Sequence, residues 1–205
     1  MKLTWIGHSC FKVESGDYVI ILDPYQDNSV AGLTPIREEA DLVLCSHEHG
    51  DHNGRDTVTI RSPREAAIRV SEISTFHDDK EGTMRGLNTI HILDDGICRI
   101  AHLGDLGCHP TTEQLEQLKN LDAVLIPVGG FFTIDAKQAK TLIDEIQPRV
   151  TIPMHYRGES TGYDVISTVN DFTDLCDDVK VYDGSEIEIT KESGKQTAVL
   201  QPRNQ

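Results

Sequence analysis

Residues 47–52 read His47-Glu48-His49-Gly50-Asp51-His52 and follow the apolar run Leu42-Val43-Leu44-Cys45. Three imidazoles and a carboxylate so close together are the donor set of a divalent transition metal, and a hydrophobic core has no use for them. The spacing carries geometry as well. His47 and His49 are two apart, so at the end of an extended segment both rings face one side. Gly50 lets the chain turn and aim Asp51 and His52 as a second ligand pair. One strand end can therefore serve two ions. From the composition, H-x-H-x-D-H arises by chance roughly 0.002 times in a chain of this length.

Further donors lie where other extended segments end. His77 closes Ser74-Thr75-Phe76-His77, Asp105 follows Ile100-Ala101-His102-Leu103-Gly104, and His155 follows Val150-Thr151-Ile152-Pro153-Met154. Loops at strand ends are where rigid scaffolds present chemistry. A carboxylate such as Asp105 can bridge two cations with its oxygens, which an imidazole cannot do.

The elements that must position these groups fall into two regimes. Extended, β-branched-rich segments lie near 2–6, 10–14, 18–22, 41–46, 57–61, 88–93 and 97–103. From residue 111 strands and helices alternate. Helices are expected from Thr111, over 135–146 and over 163–175, with strands at 122–128, 150–154, 179–182 and 185–190. The polar end, 195–205, reads as frayed. This order suggests a pair of sheets covered by helices, an αββα sandwich of the α/β (α+β) class, in a single domain spanning 1–205.

Composition narrows the function. The formal net charge of −15 over 205 residues argues against a nucleic-acid backbone as partner. Five widely spaced cysteines give no disulfide framework and no C-x-x-C pair. No apolar stretch reaches 18 residues, and Met1-Lys2-Leu3-Thr4-Trp5 opens no signal-peptide core. The expectation is a cytoplasmic protein that meets a small molecule and no membrane.

The order H-x-H-x-D-H, a lone His, Gly-Asp and a late His resembles the metallo-β-lactamase superfamily of binuclear hydrolases. Trp5-Ile6-Gly7-His8-Ser9-Cys10-Phe11, Ile21-Leu22-Asp23-Pro24, Pro127-Val128-Gly129-Gly130 and Pro153-Met154-His155-Tyr156 resemble its branch containing ascorbate-phosphate lactonase. The resemblance covers roughly residues 3–190. It implies the four-layer αββα fold and one metal held by His47, His49 and His77. It implies a second held by Asp51, His52 and His155, with Asp105 between them. Asp23 matches an acidic position that orients metal-site groups, though a turn residue before Pro24 has the same look. The lactonase is larger than this chain, so its ascorbate substrate is not carried over.

On this reading a metal-activated hydroxide attacks a small ester, lactone or phosphodiester, and Asp51 orients the nucleophile or carries a proton away. The two divalent ions are zinc first, with manganese, iron or nickel fitting the same donors. Two other readings stand beside it. The flavin-coupled di-iron members of the superfamily carry Glu where this chain has His49, which counts against a redox site. A non-catalytic metal- or partner-binding scaffold is opposed by the complete ligand set. His102 is expected to pack, His91 to face solvent, and His8 and His109 can each line a pocket. Cys45 reads as a small core residue. Gly129-Gly130 allow either a close approach to a ligand or a tight strand-to-helix turn. Arg85 and Tyr156 are candidates for steering an anionic substrate.

Overall fold

The opening strands are apolar on alternating faces. In β1 (Lys2–Gly7), β2 (Cys10–Ser15) and β3 (Tyr18–Leu22), the side chains of Leu3, Trp5, Phe11, Val13, Ile20 and Leu22 enter a core cluster of 39 residues. Ile6, Cys10, Val19 and Ile21, between them, enter a separate cluster of 10. A strand buried at both parities belongs to a sheet covered on both sides. The computed structural model, which describes residues 1–205, builds that sheet in full. β13 (Glu186–Glu188) pairs with β1, and β5 (Leu42–Leu44) pairs in parallel with β3, giving the order β13-β1-β2-β3-β5.

The second sheet has seven strands: β7 (Arg69–Phe76), β8 (Leu87–Asp94), β9 (Arg99–His102), β10 (Ala123–Pro127), β11 (Val150–Met154), β12 (Val179–Val181) and β14 (Gln196–Val199). Their spatial order is β12-β14-β11-β10-β9-β8-β7. Its inner face shares the large core with the first sheet. Helix α2 (Ala136–Ile146) links the parallel strands β10 and β11. A capping box of Asp135 and Gln138 starts α2 by satisfying orphan backbone donors. Its buried stripe, Ala136, Ala139, Leu142, Ile143 and Ile146, carries the helix onto the core. A second capping box, Thr111 with Gln114, opens α1 (Thr112–Gln117) at the expected residue.

Over the first sheet the outer layer carries no α-helix, only a 3₁₀ turn at Arg55–Thr57. The loop bearing Tyr25, Val30 and Ile36 covers the sheet, together with the ribbon of β4 (Glu38–Ala40) and β6 (Val58–Ile60). No helix is long and apolar enough to cross a membrane.

Four expectations change. The helix over 163–175 shrinks to α3 (Asn170–Thr173). Ser167 instead gives its N–H to Gly129 O and accepts from Arg157 N, and the β-branched Val165, Ile166, Thr168 and Val169 do little to oppose this. The end of the chain is not frayed. β14 lies between β11 and β12, and the N–H groups of Arg203 and Asn204 bond to Trp5 O and Ile6 O. The strand expected to reach residue 46 ends at Leu44. His91 is buried, because β8 sits within the sheet between β7 and β9.

Strand direction explains where the chemistry gathers. β1, β3 and β5 run parallel to one another, because β2 is antiparallel to both β1 and β3. β7, β9, β10 and β11 do likewise. His8, Asp23, His47, His77, Asp105 and His155 all follow the carboxyl ends of these strands.

Candidate metal centre

The 47–52 motif leaves β5 in a bend and closes in a turn, with the N–H groups of His52 and Asn53 bonded to His49 O. This turn, in place of an extended segment, brings His47 and His49 together with ring centroids 4.6 Å apart. His77 joins them at 4.6 Å and 5.1 Å. The donor atoms of His47, His49 and His77 form one compact group. Those of Asp51, His52 and His155 form a second, together with His8.

Asp105 stands between the groups. Its Oδ2 lies 3.3 Å from His77 Nε2, 4.0 Å from His47 Nε2 and 3.3 Å from His155 Nε2. Its Oδ1 lies 3.1 Å from His52 Nε2. Asn88 fixes the turn that presents it, accepting Asp105 N–H at 2.9 Å and donating to Leu103 O and Thr75 Oγ1. The structure thus gathers all seven ligand candidates at one edge.

The donor chemistry fits divalent cations. His47 Nε2, His52 Nε2, both nitrogens of His155 and Asp105 Oδ1 are buried without a hydrogen-bond partner. Orphaned polar atoms of this kind are rare and costly, unless an ion belongs among them. Burial pushes the His47 ring down to about 3, helped by the neighbouring His52. Metal ligation needs such a neutral imidazole. For Asp105, burial opposes the charge, but His155 and His52 outweigh it and hold the carboxyl well below the usual range. At His52 burial is outweighed in turn by Asp105 and Asp23, which raise its pKa well above the usual value. Two carboxylates facing one imidazole call for positive charge between them.

Asp23 acts from behind. Its Oδ1 accepts Ser46 N–H at 2.7 Å, and its Oδ2 accepts the Ser46 hydroxyl at 2.6 Å and His52 Nδ1 at 2.7 Å. It is fully buried with φ +43°, so it is more than a turn residue before Pro24. His102 packs as expected, with Nε2 donating to Ser9 O at 2.8 Å and Nδ1 accepting from Gly104 N at 3.2 Å.

The remaining candidates separate clearly. His109 pairs with Glu145 away from the site. Tyr156 is buried against Trp5, ring centroids 5.3 Å apart, and steers nothing. Cys45 packs against the outer cluster, and burial lifts its thiol to about 12. Arg85 does reach the mouth, its guanidinium 5.6 Å from the Phe132 ring centroid. A cavity of about 320 Å³ opens there, walled by Arg85, Phe132 and Tyr163 above His49, Asp51, His77 and Asp105.

The sequence assigns no role to Tyr163, Ser46 or Asn88, and to His8 only that it can line a pocket. The Tyr163 hydroxyl lies 3.1 Å from Asp51 Oδ2 and 3.0 Å from Ser29 O. For His8 a signal existed, since Gly7-His8 ends a strand as the other donors do.

The close approach permitted by Gly129 is to the chain itself. A Cβ there would sit 2.2 Å from His155 O, so the glycine serves the strand-to-helix turn and the placing of His155. Gly129→Ala is expected to cost about 1–3 kcal/mol through forced backbone movement. That lowers Tm by roughly 2–12 °C for a chain of this size. Metal titration should show the second group weakened and the first spared, because His155 moves and His47, His49 and His77 do not.

Two face-to-face sheets with histidine and aspartate donors at a shared strand-end edge define a metallo-β-lactamase-type fold. The chain belongs to the β-lactamase superfamily, whose domain profile matches residues 2–155. It is similar to a UPF0173 protein of Pyrococcus furiosus, 30% identical over 76% of this chain and 83% of that one. It is also similar to a UPF0173 metal-dependent hydrolase of Hyperthermus butylicus, 27% identical over 74% of this chain and 82% of the relative. A solved Thermotoga maritima protein of the metallo-β-lactamase superfamily superposes with TM-score 0.78 at 30% identity, over 97% of each chain.

Proposed function

We propose that the two donor groups of this metal-dependent hydrolase hold two divalent cations that act together on a small ester, lactone or phosphodiester. One observation carries the reading: Asp105 Oδ2 stands 3.3 Å from His77 of one group and 3.3 Å from His155 of the other. When bound, such a pair supplies hydroxide near neutral pH and polarises the substrate oxygen. Nitrogen and oxygen donors admit zinc, manganese, iron or nickel.

The chain's own groups do the rest. For Asp51, burial opposes the charge, but His8 and His52 outweigh it and hold the carboxyl well below the usual range. A group that stays ionised is a poor proton store near pH 7, so Asp51 orients the nucleophile. Burial raises the Tyr163 phenol, which stays protonated and gives its one proton to Asp51 Oδ2 or Ser29 O, so that it holds Asp51 at the cavity wall. The Arg85 backbone N–H bonds to Asp78 Oδ2, but its guanidinium forms no ion pair within the chain and faces the mouth, where it can meet an anionic substrate group. The cavity, at about 320 Å³, suits a small molecule.

The test joins metal titration to a screen of carboxylated and neutral lactones, esters and phosphodiesters. Two ions per chain are expected, with hydrolysis removed by a chelator and restored by metal. His52→Ala should weaken one binding event and spare the other. A single ion per chain, or equal loss of both events, would refute the paired-cation reading.

A further inference from the structure

His8 is built into the second donor group without a task. β1 ends at Gly7 after an irregular register with β2, and His8 follows at φ +53°, a conformation that side chains with a Cβ seldom adopt. Two donors hold that backbone in place: Trp5 Nε1 and His155 N bond to His8 O at 2.9 and 3.3 Å. The ring is fully enclosed, and neither Nδ1 nor Nε2 has a hydrogen-bond partner. An ordinary packed histidine satisfies at least one nitrogen, as His102 does twice. A strained backbone and two orphaned ring nitrogens are a double cost for a residue that serves packing alone.

The surroundings show what the ring faces. Its centroid lies 4.1 Å from that of His155 and 5.4 Å from that of His52. Nε2 stands 3.3 Å from Asp51 Oδ2, not aligned as a hydrogen bond. One donor atom each from His8, Asp51, His52 and His155 lie within 4.8 Å of one another. Donors about 2.0–2.2 Å from one ion stand roughly 3–4.4 Å apart, so small side-chain adjustments suffice.

We propose that His8 is a further ligand of the second cation, completing a group of three imidazoles and Asp51 beside the shared Asp105. This rests on the two-ion reading above and makes the two positions unequal. The second becomes the richer one, with three buried imidazoles and a half-buried Asp51, whereas the first keeps the exposed His49. A position with so many nitrogen and oxygen donors suits ions that accept five or six ligands, such as manganese, iron or nickel, better than four-coordinate zinc.

The test uses cobalt(II) and zinc as probes. His8→Asn keeps a residue tolerant of the left-handed backbone and removes the imidazole. Its second binding constant should fall by more than the 10–100-fold typical of losing an outer partner, with the first unchanged. The His49→Ala/His77→Ala double variant retains His8 and leaves only the second group complete. Loaded with one cobalt(II), it should show three imidazoles on the ion by X-ray absorption. Two imidazoles, or a second constant unmoved in folded His8→Asn protein, would overturn the proposal while leaving the paired cations standing. A wild-type protein that binds a single ion would instead overturn the paired-cation reading.

Discussion

Asp105→Asn is expected to weaken both metal-binding events and to lower hydrolysis by at least ~10²-fold, as losses of direct metal support do. The substitution keeps nearly the same volume, and Asn retains the backbone N–H that Asn88 receives at 2.9 Å. What changes is charge and donor number. Oδ2 is the atom that approaches His47, His77 and His155 together, and Oδ1 is the atom beside His52. An amide offers one good donor oxygen and no negative charge, so two cations repel with less compensation. His109→Gln is the matched control. It removes a ring that pairs with Glu145 outside the site and should leave metal content and turnover unchanged. Metal per chain, circular dichroism and turnover of the substrate found in the screen decide the matter. A folded Asp105→Asn protein with two tightly held ions and full activity would remove Asp105 from the site.

The contrast between Asp105 and Asn88 shows what a sequence discloses. Asp105 was legible because a carboxylate after a strand, in order with His47 and His155, has a pattern of its own. Asn88 sits in β8 with its side chain turned to Asp105 N, Leu103 O and Thr75 Oγ1, partners 13 to 17 residues away. No local period announces such a contact. Tyr163 is similar. It stood in an expected helix, whereas the chain there folds toward the mouth because Ser167 N–H bonds to Gly129 O. The last strand was obscured differently. Its apolar run Thr197-Ala198-Val199-Leu200 was present, but the polar residues on either side hid it. Sheet pairing with β11 and β12 overrode that local polarity.

Asp23→Asn should weaken both cations although Asp23 belongs to neither donor group. The Ser46 hydroxyl has one proton, and it goes to Asp23 Oδ2 at 2.6 Å. Ser46 Oγ, 2.9 Å from His47 Nδ1, therefore accepts the His47 Nδ1 proton and leaves Nε2 free to ligate. The same Asp23 oxygen receives His52 Nδ1–H at 2.7 Å and again leaves Nε2 free. One carboxylate thus sets the tautomers of a ring in each group. An Asn amide cannot accept from every one of these donors, and its NH₂ facing His52 Nδ1 would favour a proton on Nε2, where the metal belongs. Asn tolerates the φ of +43° found at Asp23, so backbone strain does not confuse the result. Each binding constant should fall about 10–100-fold. Folding stability should fall too, by about 1–3 kcal/mol, because the buried His52 Nδ1–H loses its charged acceptor while Asp105 still faces the ring. Ser46→Ala separates the two arms: it cuts the link to His47 and leaves Asp23 on His52, so the first cation alone should weaken. Equal loss of both cations in Ser46→Ala, or loss of only one in Asp23→Asn, would break the assignment of Asp23 as the shared support.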